Sequence, residues 1–92
     1  HDEEIAYVTK LRTRFVVECV SHAAQSIAAY AASDHDGYMA HHEAAELWKI
    51  AADQASDLEA MVRGAPGQLV GALIVAGWPL PEEASPLRFT RP

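Results

Sequence analysis

Along the first third of the chain, apolar side chains return every three or four residues: Ile5, Val8, Leu11, Phe15, Val16, Cys19, Ala23, Ile27 and Tyr30. At about 100° per residue these positions share one broad face, the pattern of an amphipathic helix. The spacing predicts a helix over about 3–32, capped by Asp2, with Glu3 and Glu4 in a first turn whose dipole favours negative charge. The β-branched Val16, Val17 and Val20 lower helix propensity, but the three-four spacing continues on both sides of them. Arg12, His22 and Ser26 interrupt the stripe, while Tyr7, Val17, Ala24, Ala28 and Ala31 leave the opposite face less polar than a monomer wants.

Ser33-Asp34-His35-Asp36-Gly37 reads as a turn, built from residues that hydrogen-bond their own backbone or tolerate unusual dihedrals. A connection this short makes the flanking helices antiparallel neighbours. The second helix is expected over about 38–63 with Asp36 as its cap. Ala40, Ala44, Leu47, Trp48, Ala51, Ala55, Leu58 and Val62 form its inner face, flanked by Ile50 and Met61. His42, Glu46, Lys49, Asp53, Ser56 and Asp57 form the outer one, and Arg63 followed by Gly64 is a usual helix ending.

Pro66 then opens an apolar run, Gln68 to Val75, closed by Gly77. A short third helix over about 66–76 is expected; a buried strand is the competing reading, disfavoured because no second strand exists to pair with it. A segment apolar all round has to be covered on most sides. This nominates Leu69, Val70, Leu73 and Ile74, with Trp78 and Leu80 beyond them, as interface residues. Prolines keep residues 78–92 from continuing a helix, so an extended tail is expected. The fold class is therefore all-α, with residues 1–92 forming one helical domain: a long hairpin, a short third helix and a Pro-rich tail.

Composition narrows the function. The chain has 92 residues, 18 of them alanine, which suits close helix packing. Alanine richness and five arginines against two lysines also match the coding bias of GC-rich bacterial or phage genomes. A net charge of −6 disfavours nucleic acid and anionic membranes, both of which select basic surfaces. A single cysteine, Cys19, excludes an internal disulfide and any multi-cysteine metal centre. With no signal-peptide pattern at the start and no unbroken apolar run of bilayer length, the expectation is a soluble cytoplasmic protein.

Candidate chemistry is sparse. Glu18 and His22 stand four apart at the edge of the helix-one stripe, and Glu43 occupies the matching edge of helix two. Inward carboxylates and a histidine are the materials of a metal site in a helical bundle, so Glu18, His22 and Glu43 are the metal candidates. Carboxylate-bridged di-metal bundles use Glu-x-x-His, a spacing absent here. Glu43-Ala44-Ala45-Glu46 resembles the Glu-x-x-Glu helices of all-α nucleotide pyrophosphohydrolases, whose paired carboxylates hold magnesium. Such sites need a second acidic pair, whereas Asp53 and Asp57 are four apart and face outward with Glu46; the chain is assigned to neither family. His35, His41 and His42 cluster with Asp34, Asp36 and Glu43 around the turn, where solvated polar residues are the ordinary explanation. No cofactor motif, phosphate loop or nucleophile elbow is present. Arg12, central in an apolar stripe, needs a carboxylate, and the antiparallel register offers Asp57 or Glu59 or a group from a second subunit.

The expected function is a non-enzymatic all-α interaction module working as a homo-oligomer, of the scaffold or adaptor kind. The alternative is a small metal-binding or metal-dependent hydrolase bundle. A third reading, an acidic regulator of a basic partner, draws on residues 34–63, where seven acids and two bases leave a net charge of −5.

Overall fold

A computed structural model describes residues 2–64, which form two helices, α1 (Asp2–Ala31) and α2 (His35–Gly64). Contacts between Thr9 and Glu59 at one end and Tyr30 and Tyr38 at the other set them antiparallel. The expected helical hairpin is therefore present. The helix expected at 66–76, the tail at 78–92 and the interface candidates Leu69, Val70, Leu73, Ile74, Trp78 and Leu80 lie outside the described residues.

The turn is tighter than the sequence suggests. The amide of Ser33 donates to the Tyr30 carbonyl at 3.1 Å and that of Asp34 to the Ala29 carbonyl at 2.8 Å, with Ser33 at φ 59°. This is a Schellman ending, and Ser33 holds the left-handed position that glycine usually takes. Asp34, not Asp36, caps α2: its Oδ1 accepts from the Gly37 amide at 3.0 Å, and its carbonyl accepts the Tyr38 amide. His35 and Asp36 therefore belong to the first helical turn, three residues earlier than their turn-forming composition suggests. A Cβ at position 37 would press on the Asp34 carboxylate, so a larger residue there has to displace the capping side chain.

The core lies in the half of the hairpin away from the turn. Val8, Leu11 and Phe15 of α1 pack on Trp48, Ala51, Ala52, Ala55, Leu58 and Val62 of α2, with Ile5, Tyr7, Cys19 and Ala44 at the margin. Phe15 and Trp48 meet with ring centroids 5.4 Å apart, tilted by 48°. Truncating either ring to alanine would cost about 3–5 kcal/mol, by the scale for large aromatic side chains in a core. The α1 stripe is narrower in the structure than its spacing predicts. Val16, Ile27 and Tyr30 are 41%, 70% and 73% exposed, and on α2 Ala40, Ile50 and Met61 face outward. One partner helix covers only a narrow seam, so a stripe spanning more than about 100° leaves one flank in water. Toward the turn the seam is filled by Ser26, whose hydroxyl donates to the Ala23 carbonyl at 2.8 Å.

Candidate functional site

Two features of the turn-proximal half are not explained by the core. The first is the uncovered flank of α1. Val16, Val20, Ala23, Ile27 and Tyr30 alternate four- and three-residue steps, the spacing of a seam that another helix covers. Val20 is 63% exposed and Ile27 70%, and no charged residue falls within the seam. Ala24 and Ala31 on α1 are also exposed. The exposed Met39, Ile50 and Met61 of α2 differ: Glu43, Glu46, Asp53 and Asp57 share their side of the helix, making that an ordinary solvated face.

The second feature is a polar line running from α1 to α2. The Arg14 guanidinium reaches Glu18 Oε1 at 3.3 Å and lies over the Trp48 ring, 5.7 Å from its centroid. Glu18 Oε2 is 3.8 Å from His22 Nε2. His22 Nδ1 then faces His41 Nδ1 across the hairpin at 3.0 Å. A hydrogen bond between two Nδ1 atoms needs one ring to donate and the other to present a bare nitrogen. Next to it, Tyr38 stacks on His42 and meets Tyr30 edge-on, and Tyr30, Ser33, Asp34, His35 and Tyr38 line a shallow cavity of about 370 Å³ beside the turn.

Comparison with protein-family models, with curated proteins and with solved structures finds no match for this chain.

Of the three metal candidates, Glu18 and His22 come together, whereas Glu43 is exposed on α2. The place assigned to Glu43 is taken by His41. Among the described residues no three His, Cys, Asp or Glu side chains converge as a metal centre. His42 pairs with Glu46 in solvent at 3.2 Å, and Cys19 is half-buried at the core margin. A turn centred near Ser33 sets His22 opposite about Ala44, one helical turn from His41. Placing the centre at His35 sets it opposite Trp48 instead.

Arg12 finds the carboxylate that its position demands. Its Nε donates to Glu59 Oε2 at 3.2 Å, and the Thr9 hydroxyl donates to the same oxygen at 2.8 Å. Arg63 approaches the other oxygen at 3.8 Å. The Thr9 hydrogen bond, with Arg12 and Arg63 adding their charge, holds the Glu59 carboxyl below the usual carboxylate range despite partial burial. Burial pushes the Tyr7 hydroxyl up. These contacts tie the helices together at the core end and serve the fold. No described helix is long and apolar enough to cross a membrane.

Proposed function

We propose that the protein is a non-enzymatic helical interaction module that self-associates through the uncovered flank of α1. The observation that carries this reading is the seam Val16, Val20, Ala23, Ile27 and Tyr30, regular in spacing, free of charge and exposed at its large side chains. Four large apolar groups aligned on one helix form a patch of the kind that marks an interface, unlike apolar residues scattered singly. A second copy is the favoured occupant. The β-branched Val20 and Ile27 sit at alternate seam positions, as they do in paired helices, and two hairpins stacked flank to flank would give a four-helix bundle. An uncharged seam meets an identical seam without repulsion or a buried unpaired charge.

Sedimentation equilibrium across a wide micromolar range tests this. The expected result is a dimer or higher oligomer that the double substitution Val20→Lys and Ile27→Lys converts to a helical monomer. Ile50→Lys, on the acidic face of α2, should leave association intact. A wild-type protein monomeric at every concentration, or a double variant that associates like the wild type, overturns the proposal.

A further inference from the structure

We propose that His22 and His41 form a two-point transition-metal clamp across the hairpin, taking a divalent ion of the copper or nickel type between their Nδ1 atoms. This inference is independent of self-association.

The geometry starts from the 3.0 Å separation of the two Nδ1 atoms, which face each other from different helices. Metal–imidazole bonds are about 2.0–2.1 Å long. Two nitrogens 3.0 Å apart then subtend roughly 95° at an ion placed between them, by simple trigonometry from that bond length. An angle near 90° is that of neighbouring ligands in a square or octahedral sphere, which Cu²⁺ and Ni²⁺ favour; it is narrower than the tetrahedral angle of structural zinc. The ring centroids are 5.3 Å apart, so the two Nδ1 atoms point at each other almost in line, and each ring has to swing by roughly 40° to turn its lone pair toward an ion at that bond length, a movement that half-buried side chains can make.

The surroundings fit the same chemistry. A metal-bound imidazole usually directs its remaining N–H to a carboxylate, which fixes the tautomer and raises the ring's basicity. Glu18 is placed to become this partner: its Oε2 stands 3.8 Å from His22 Nε2, beyond hydrogen-bond length, and Arg14 holds the other Glu18 oxygen. Glu18 would orient His22 without touching the ion. Both imidazoles are half-buried, so the ion can enter from water and keep water in its remaining positions. The absence of a three-ligand cluster is consistent with this, since a clamp has two protein ligands and binds more weakly than a structural centre.

The clamp differs from a surface histidine in one respect: it joins α1 to α2, so binding should raise the melting temperature of the hairpin. The test uses the untagged full chain, titrated with Cu²⁺ by calorimetry and melted with and without one equivalent. The expected result is one Cu²⁺ per chain, a higher melting temperature on loading, and a paramagnetic resonance spectrum with two equatorial nitrogens. His22→Ala and His41→Ala should each weaken binding at least tenfold and abolish the thermal shift. His42→Ala and His35→Ala should change neither. Copper binding that survives both His22→Ala and His41→Ala, that disappears instead in His42→Ala, or that leaves the melting temperature unchanged overturns the clamp. A wild-type chain that takes up no Cu²⁺ does so as well.

Discussion

Replacing Glu59 by glutamine isolates the charge in the network that holds the open end of the hairpin. Glutamine keeps an oxygen to accept from Thr9 and Arg12, which donate to Glu59 Oε2 at 2.8 and 3.2 Å, but removes the negative charge. A hydrogen bond to a charged group contributes about 1 kcal/mol more than a neutral one. The Glu59 side chain is 16% exposed and that of Arg12 is 34%, so the Arg12 share is discounted for screening by water. The expected loss is roughly 1.5 kcal/mol at pH 7. For a domain of this size that lowers the melting temperature by about 6–12 °C. The pH dependence supplies the decisive arm. Folding lowers the Glu59 pKa, so its contribution is complete above the ordinary glutamate value of about 4.3 and disappears as pH falls through the lower folded value. Thermal melts by far-ultraviolet circular dichroism at pH 7 and at pH 2.5, at one protein concentration, should show a wide gap between wild type and Glu59→Gln at the first and a narrower one at the second. Glu46→Gln, at the exposed pair with His42, should show no gap at either. Equal melting of wild type and Glu59→Gln at pH 7, or a gap that persists unchanged at pH 2.5, would refute the reasoning.

The turn offers two further tests by the same thermal melts. Ser33→Gly should stabilise the hairpin by about 0.5–1 kcal/mol, because φ 59° strains a residue with a Cβ and costs glycine little. Gly37→Ala should be close to neutral in the wild type, where a gain of up to about 1 kcal/mol in helix propensity is offset by a displaced Asp34 cap of similar worth; in an Asp34→Ala background the same change should stabilise.

The two helices are legible in the sequence because their apolar spacing is long, and the partner of Arg12 is legible because a charge in an apolar stripe has few ways to be satisfied. Glu59 lies within the stretch that the antiparallel register sets opposite Arg12. Two things are not legible. The start of α2 is displaced because Asp34 and Asp36 are equally good caps by residue type. Only the Schellman geometry around Ser33, which directs the Asp34 amide back into α1, decides between them. That small shift moves the register by about one helical turn and so hides the meeting of His22 with His41. The uncovered flank is hidden for a different reason. Periodicity places Val16, Ile27 and Tyr30 about 60–120° round the helix from Phe15, within one wide stripe, but does not show which edge of that stripe a single partner helix will cover.

The division of the hairpin bears on how binding and folding are related. Large, fully buried side chains are confined to the Val8–Phe15 and Trp48–Val62 half, while the turn-proximal seam is closed by serine, alanines and imidazoles. Phe15 and His22 are seven residues apart, about 10 Å along the helix, and substitutions at such separation act nearly independently on stability. Changes at Val20, Ile27, His22 or His41 should therefore leave the helical content intact, since none removes a fully buried apolar group. A loss of association or of metal binding in those variants then reports on the surface itself. The same layout explains why the apolar flank persists without cost to the fold: the hairpin is held at one end, and its other end is free to meet a partner.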